Sequence, residues 1–238
     1  LQLQIQQQQI QQGPSAQHIY DKQTKLHEEI VRFANKNLEA CESSHAEVQA
    51  IKTTLLHVVT TRWKDAKVEM YGSRSTGLYL ASSDMDVVLL DIPVSDKNSH
   101  TEVGICLKQL HDDLASLPWV VRQTLIPGAR IPVLKILSKN NISVDVTISA
   151  SQLHTGLQAR DLVLGYLHQL PQLAPLVVVL KSFLRDLSLN DVYSGGLSSY
   201  CLVVLLFQFM RECENYGYET QDCGHLLVGF LNNFLWRF

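Results

Sequence analysis

The chain has 238 residues, of which 46% are hydrophobic and 18% are charged, and its net charge is −3. The hydrophobic share is sufficient for one large or two small cores. The slightly acidic balance excludes a protein that holds nucleic acid by bulk positive charge alone, and five scattered cysteines without a C-x-x-C pair argue against a disulfide-based fold.

The beginning of the chain predicts a disordered tail followed by two helices. Residues 1–17 are rich in glutamine and hold too few core-forming side chains to offset the entropy of ordering. Apolar residues then recur at helical spacing within residues 18–42, which predicts a first helix. A second helix is predicted from Ser43, a plausible N-cap, to Trp63.

Strands and helices alternate over residues 43–153, and the pattern then becomes wholly helical over residues 154–238. Strands are predicted at 67–71, 84–90, 119–125, 130–137 and 142–148, with helices at 74–80 and 99–117. The later helices are predicted at 157–169, 173–187, 197–210 and 225–236. The most apolar of them is too short and too polar to cross a membrane, so no membrane contact is expected.

Two carboxylates separated by one apolar residue open the second predicted strand. Asp84 and Asp86 point to the same face there, because side chains alternate along a strand. Asp145 interrupts a later β-branched strand, where an acidic residue is costly without a partner. If the two strands are neighbours, the three carboxylates converge, and bound cations relieve their repulsion. Oxygen ligands near phosphates favour Mg²⁺, or Mn²⁺ as its substitute.

Other polar residues are candidates for a phosphate grip. Gly72 permits a close backbone approach, and Ser73 offers a hydroxyl and an amide at a helix start, although a polar turn before an edge strand would look similar. Lys181 and Arg185 share one helical face and can reach a triphosphate, or can instead reach solvent or pair with nearby acidic residues. Ser199 lies at another helix start, where an ordinary serine N-cap is the alternative.

These motifs resemble a known superfamily. Gly72-Ser73, Asp84-Met85-Asp86 and Asp145 are similar to the signature of the DNA polymerase β nucleotidyltransferases. Residues 192–200 resemble the noncanonical poly(A) polymerases and terminal uridylyltransferases. Within this family, residues 26–30, 76–80 and 129–133 most resemble the nuclear poly(A) polymerases that tag RNA for the exosome.

The resemblance implies an α+β fold with two domains. A polymerase β-like nucleotidyltransferase domain, built of a mixed sheet with flanking helices, would occupy residues 43–153. An all-helical central domain, similar to the PAP-associated domain, would occupy residues 154–238 and be incomplete at its C-terminal end, with residues 18–42 packing on it. The loop that recognises the base would follow Phe238, so the choice between adenine and uracil stays open.

The resemblance also implies roles for single residues. Asp84 and Asp86 would hold Mg²⁺ (or Mn²⁺), with Asp145 as the third catalytic carboxylate. Lys181 and Ser199 would contact the phosphates of ATP, and Tyr200 would stack on the base. Relatives often carry Lys at the position of Arg185. They also often carry asparagine where Gly156 stands, so only backbone contact with the ribose could remain at that position.

The expected function is template-independent transfer of AMP from ATP to an RNA 3′ end in nuclear RNA surveillance and decay. The alternatives are terminal uridylyl transfer and a catalytically silent RNA-binding or scaffold protein. The resemblance implies a zinc-knuckle RNA-binding protein and an RNA helicase feeding the exosome as partners. It favours a nuclear location, with a cytoplasmic one as the alternative.

Overall fold

The computed structural model describes residues 16–94, 99–149 and 154–235. The chain divides into two compact units, one formed by Asn37–Gln169 and the other by the described parts of Leu1–Lys36 and Leu170–Phe238. Of the glutamine-rich segment expected over residues 1–17, only the last two residues are described, and they belong to the first helix. No helix in the described part of the chain is long and apolar enough to span a bilayer.

The elements follow each other in the alternating and then helical order that the sequence predicts. They are α1 (Ala16–Arg62), β1 (Lys67–Tyr71), α2 (Gly72–Thr76), β2 (Met85–Leu90), α3 (Ser99–Leu114), β3 (Val120–Ile126), β4 (Val133–Ser138), β5 (Ser143–Ile148), α4 (Thr155–Gln169), α5 (Leu173–Asp186), α6 (Ser199–Asn215) and α7 (Cys223–Leu235), with a 3-10 turn at Val192–Ser194. Most boundaries lie within a few residues of the prediction.

The five strands form one mixed sheet in the order β1-β2-β5-β4-β3. The central pair, β2 and β5, is parallel, and the other three pairs are antiparallel. β2 is the most completely buried strand, since Met85, Val87, Val88 and Leu89 are all fully buried. Such a run of apolar residues is typical of a strand covered on both faces.

One face of the sheet carries the hydrophobic core. Alternate residues of the central strands, such as Val87 and Val146, pack in one cluster with Leu55 of α1 and Leu107 of α3. Because successive side chains of a strand point to opposite faces, the residues between these core members emerge on the other face. The two strand aspartates are among those residues.

Helix α1 corrects the prediction of two separate helices. The structure has one helix of 47 residues, and Ser43 lies inside it instead of capping a new helix. The hydroxyl of Ser43 donates to the carbonyl of Ala40, and the hydroxyl of Ser44 donates to that of Cys41, both at 2.9 Å. These bonds satisfy the serines within the helix, so neither serine interrupts it.

The division into units also differs from the expected domain bounds. Helix α4, expected in the helical domain, belongs to the same unit as the sheet and packs against α2 and β1. Arg160 fixes this helix, because its guanidinium donates to the carbonyl of Met70 at 3.0 Å. Helix α2 is shorter than expected, because Gly77 ends it in a left-handed conformation with φ +79°.

In the other unit, all regular elements within the described residues are helices. Helix α5 supplies a buried face that includes Leu176, and α6 and α7 pack on it and on each other. Phe209 and Phe230 meet edge to face at 5.6 Å between α6 and α7. The first turns of α1 belong to this unit, and the backbone N–H of Cys223 donates to Nδ1 of His27 at 3.0 Å.

Candidate active site

Asp86 and Asp145 face each other across the two central strands. In the parallel β2–β5 pair, Asp86 is the register partner of Asp145, while Met85 and Val144 are paired one position earlier on the core face. Both aspartates are partly exposed. The strand adjacency on which the sequence prediction depended is therefore present, and it brings two carboxylates to one surface of the sheet.

Asp84 lies just before β2, and the charges of Asp145 and Lys135 act on its carboxylate. The pKa of Asp84 is raised, first because surrounding protein atoms partly remove water from its carboxylate and then because Asp145 is negative. The charges of Lys135 and Arg74 and a hydrogen bond with Ser143 oppose this rise. A raised carboxylate pKa next to another carboxylate indicates an uncompensated negative charge that a cation would relieve.

Gly72 lies against the carboxylate of Asp86. A Cβ atom at position 72 would come within 2.8 Å of Cγ of Asp86 and closer still to its Oδ2, and the backbone φ of +71° also disfavours a side chain. The sequence predicted that Gly72 permits a close backbone approach to a nucleotide. In the structure the close approach is to Asp86, so the glycine shapes the carboxylate site itself.

Ser73 lies in the short helix α2, and its carbonyl ends that helix. The backbone N–H of Leu78 donates to the carbonyl of Ser73 at 3.1 Å, and the hydroxyl of Thr76 donates to the same oxygen at 3.1 Å. Ser73 is partly exposed. Its phosphate-binding role remains a prediction.

Arg74 braces the segment between Gly72 and Asp84, a role that the sequence analysis missed. Its Nε donates to the carbonyl of Ser83 at 2.9 Å, and its Nη1 donates to the hydroxyl of Ser44 at 3.3 Å. The guanidinium also lies over the ring of Tyr79, with 5.0 Å between the guanidinium carbon and the ring centroid. Helix α1, the turn and the residue before Asp84 are thereby connected.

Lys135 is the second residue that the sequence analysis missed. It lies opposite Asp145 in the antiparallel β4–β5 pair, and its ammonium forms an ion pair with Oδ2 of Asp145. The sequence shows only that Lys135 lies in the predicted strand just before the strand of Asp145. The register that pairs the two residues is seen only in the structure.

Gly156 lies against Tyr71 rather than at an open surface. A Cβ at position 156 would come within 2.5 Å of Cδ2 of Tyr71 and 2.8 Å of Cε1 of His154. The rings of Tyr71 and His154 meet edge to face at 4.8 Å, and Nδ1 of His154 is buried with no hydrogen-bond partner among the described residues. The space that an asparagine side chain would need is therefore occupied by these rings.

Lys181 and Arg185 lie on α5 in the helical unit. Lys181 is only 9% exposed. Arg185 is more accessible, and its guanidinium contacts Oδ1 of Asp186 at 3.1 Å and the hydroxyl of Ser182 at 3.2 Å. The pairing with Asp186 is one of the alternatives that the sequence left open for Arg185.

Ser199 and Tyr200 begin α6 and are both exposed. The N-cap of this helix is Ser198, whose hydroxyl accepts a hydrogen bond from the backbone N–H of Cys201 at 3.1 Å. The capping function therefore belongs to Ser198, and the hydroxyl of Ser199 is not the one used for it. Tyr200 is 45% exposed, so its ring is accessible for stacking.

The donor set of the sheet fits a hard divalent cation, although the side chains are not gathered into a finished site. Within the described ranges, no three His, Cys, Asp or Glu side chains come close enough together to hold a metal ion. Asp86 and Asp145 are nevertheless in register, and Gly72 leaves the space beside Asp86 free of a side chain. Oxygen-only ligands of this kind suit Mg²⁺ or Mn²⁺.

The mixed sheet, its flanking helices and the in-register aspartates define a polymerase β-like nucleotidyltransferase fold. The Cid1 poly(U) polymerase bound to Mg and 3′-dATP has the same fold, with a TM-score of 0.71 at 19% identity over 89% of this chain and 75% of that chain. The polymerase core of TRAMP, an RNA surveillance complex, matches with a TM-score of 0.63 at 24% identity over 92% of this chain and 59% of that chain.

Residues 26–166 match the family model of the central palm domain of poly(A) RNA polymerase, mitochondrial-like. The chain therefore belongs to the noncanonical poly(A) polymerase family. It is 28% identical to poly(A) RNA polymerase cid14 of Schizosaccharomyces pombe over 204 residues, which are 81% of this chain and 29% of that protein. It is 33% identical over 197 residues to Trf4-2 of Drosophila melanogaster, a member named as inactive, covering 79% of this chain and 44% of that protein. The chain thus spans less than half the length of these relatives.

Proposed function

We propose that the protein is a template-independent RNA 3′-terminal nucleotidyltransferase that transfers AMP from ATP. The observation that carries the proposal is the direct pairing of Asp86 with Asp145 across parallel strands, with Gly72 against the first carboxylate. Family membership supports the same reaction, because relatives such as cid14 are named poly(A) RNA polymerases.

Asp84, Asp86 and Asp145 would hold Mg²⁺ (or Mn²⁺), which would supply activation of the attacking hydroxyl and neutralisation of the leaving pyrophosphate. Asp145 positions the RNA 3′-hydroxyl or accepts its proton. Gly72 and Ser73 bind the nucleotide phosphates through backbone and hydroxyl groups. Arg74 keeps this turn in place through its contacts with Ser83 and Ser44.

The residues of the helical unit contribute to nucleotide binding in this proposal. Lys181 and Ser199 contact the triphosphate, and Tyr200 stacks on the base. Arg185 contributes positive charge when it is released from Asp186. Gly156 contributes through its backbone alone, because Tyr71 fills the space where a side chain would extend.

Uridylyl transfer is the alternative within the same class. The observation that favours it is the fold shared with the Cid1 poly(U) polymerase. Both activities use every residue named above, so they differ only in which base the protein selects.

A catalytically silent RNA-binding or scaffold protein is the alternative from another class. The similarity to Trf4-2, a relative named as inactive, favours it. The presence of all three aspartates and of Gly72 favours the enzyme instead, because a silent protein has no need to keep a costly carboxylate cluster.

In the cell, the proposed activity belongs to nuclear RNA surveillance and decay. The similarity to the polymerase core of TRAMP supports this setting. The partners would be an RNA 3′ end, a zinc-knuckle RNA-binding protein and an RNA helicase that feeds the exosome. A net charge of −3 is consistent with a need for such RNA-binding help.

The test is extension of a labelled RNA oligonucleotide by the purified protein, with each of the four ribonucleotides supplied alone. The proposal predicts tails with ATP and none in the Asp84→Ala and Asp145→Ala variants. Longer tails with UTP would support uridylyl transfer. Stabilisation by Mg²⁺ and nucleotide without any extension would support the silent protein.

A further inference from the structure

Lys135 is placed to compete with a divalent cation for Asp145. The two residues are register partners in the β4–β5 pair, and the ammonium of Lys135 contacts Oδ2 of Asp145. The side chain of Asp145 is 21% exposed and that of Lys135 is 47% exposed. The carboxylate is therefore largely enclosed, while the lysine can reach it from the solvent side.

Three strands contribute to this arrangement. Asp145 on β5 has Asp86 as its neighbour on β2 and Lys135 as its neighbour on β4. One carboxylate thus lies between a like charge and an opposite charge. In this structure its oxygen is engaged by the lysine, and no three acidic, histidine or cysteine side chains within the described residues are gathered around a metal position.

The ion pair of Lys135 places one positive charge beside a carboxylate that is itself in register with a second carboxylate, Asp86. Lys135 therefore offsets part of the negative charge on this surface of the sheet. A divalent cation offsets the same charge, and the lysine and the cation repel each other.

We propose that Lys135 is a positioning residue that occupies Asp145 in the metal-free protein and is exchanged for the divalent cation when the metal binds. The inference rests on the proposed function only in taking the three aspartates as the metal ligands. The lysine keeps the trio stable without metal, and it weakens metal binding because the ion pair has to be broken first.

The direct test is a titration of the purified protein with Mn²⁺, in which the electron paramagnetic resonance signal measures the free Mn²⁺. Lys135→Met removes the competing charge, Lys135→Arg retains it, and Lys139→Met removes an exposed lysine from the turn after β4 as the matched control. We expect Lys135→Met to bind Mn²⁺ about threefold to fivefold more tightly, the scale of a partly exposed ion pair. The other two variants should bind like the parent.

Thermal unfolding with and without Mg²⁺ supplies a second measurement. Without metal, Lys135→Met should melt about 2–4 °C lower than the parent, because the carboxylates lose their counter-charge. Saturating Mg²⁺ should remove most of this difference. If Lys135→Met cannot be purified in folded form, Lys135→Gln replaces it in both measurements.

Unchanged or weaker Mn²⁺ binding in Lys135→Met would overturn the proposal. Equal tightening in Lys139→Met would also overturn it, because the effect would then be one of general charge. Failure of the proposed function looks different: the protein would bind Mn²⁺ with the expected order among the variants and yet extend no RNA.

Discussion

Gly72 and Asp86 lie so close together that a side-chain carbon at position 72 would overlap the carboxylate. Both the space and the backbone conformation, with φ at +71°, require glycine there. The glycine of the turn and the aspartate of the strand thus form one structural unit. A substitution at either position should therefore displace the residue at the other.

Gly72→Ala should therefore destabilise the protein by roughly 2–4 kcal/mol, the sum of left-handed strain and overpacking. It should also abolish Mg²⁺-dependent stabilisation, because Asp86 is displaced. Gly77→Ala is the matched control, since Gly77 has a similar φ of +79° but, its two chain neighbours apart, no atom of the described residues lies within 4 Å of an added Cβ. Gly77→Ala should cost about 1 kcal/mol and keep the metal response. Chemical denaturation with and without Mg²⁺ measures both effects. Equal stabilisation of Gly72→Ala and Gly77→Ala by Mg²⁺ would contradict the account.

Asp84→Asn should make the metal-free protein more stable and at the same time remove metal binding. The pKa of Asp84 is raised above its ordinary value of 3.8 in the folded protein, so its ionised form is less favourable there than in the unfolded chain. The penalty is fully present above the folded-state pKa and is relieved as the pH falls toward 3.8. The stability advantage of Asp84→Asn over the parent should therefore shrink through this window on acidification.

The measurement is urea denaturation of both proteins without metal at neutral pH and at successive steps below it. Asp65→Asn, a change at an exposed aspartate in the turn before β1, is the control and should shift the stability curve little. An Asp84→Asn variant that is less stable than the parent at neutral pH would show that Asp84 is stabilised by its partners instead.

His154 should make the stability of the protein depend on pH in the opposite direction. Burial lowers the pKa of His154 below its ordinary value of 6.5, so the folded protein keeps the ring neutral where the unfolded chain takes up a proton. The contribution of neutral His154 to the free energy of unfolding is thus fully present above pH 6.5 and is lost as the pH falls toward the folded-state pKa. His154→Phe, which keeps a ring beside Tyr71, should flatten this part of the profile.

The free energy of unfolding between pH 7.5 and about 5 tests this expectation. His57→Gln, at an exposed histidine of α1, should leave the profile of the parent nearly unchanged. If His154→Phe and His57→Gln give the same slope, burial of His154 is not the cause of the dependence.

Arg74→Leu should lower stability by about 1–3 kcal/mol, because it removes charge-assisted hydrogen bonds to Ser83 and Ser44 and the contact with the Tyr79 ring. RNA extension should fall through kcat more than through KM, since the segment leading to Asp84 loses its brace. Arg74→Lys should recover only part of the activity, because an ammonium lacks the planar fork. Arg130→Leu, at an exposed arginine, is the control, and an equal loss in that variant would contradict a specific brace.

Local patterns in the sequence were enough to predict the order of strands and helices, and the β1 strand was predicted with its observed bounds. The mixed sheet with flanking helices was predicted from the family resemblance carried by Gly72, Asp84 and Asp145, and the fold shared with the Cid1 and TRAMP polymerases confirms it. The prediction required the strands of Asp86 and Asp145 to be neighbours, and the structure pairs them. The catalytic roles of these residues remain predictions.

The sequence analysis missed the continuity of α1, because serine hydroxyls that bond within a helix leave the same sequence pattern as a serine N-cap. It also missed contacts between residues that are distant in the sequence. The assignment of α4 to the sheet unit depends on the contact of Arg160 with Met70, 90 positions away. The roles of Arg74 and Lys135 likewise depend on strand register and on packing against α1, which no local pattern encodes.

The most direct test of the central claim is the rate of ATP-dependent RNA extension as a function of Mg²⁺ in the parent and in Asp145→Asn. Asparagine preserves the shape of the side chain but cannot serve as an anionic ligand or accept the proton of the hydroxyl. The account predicts that extension falls by roughly a thousandfold at every Mg²⁺ concentration while the fold is retained. Extension at the parental rate in folded Asp145→Asn would contradict it.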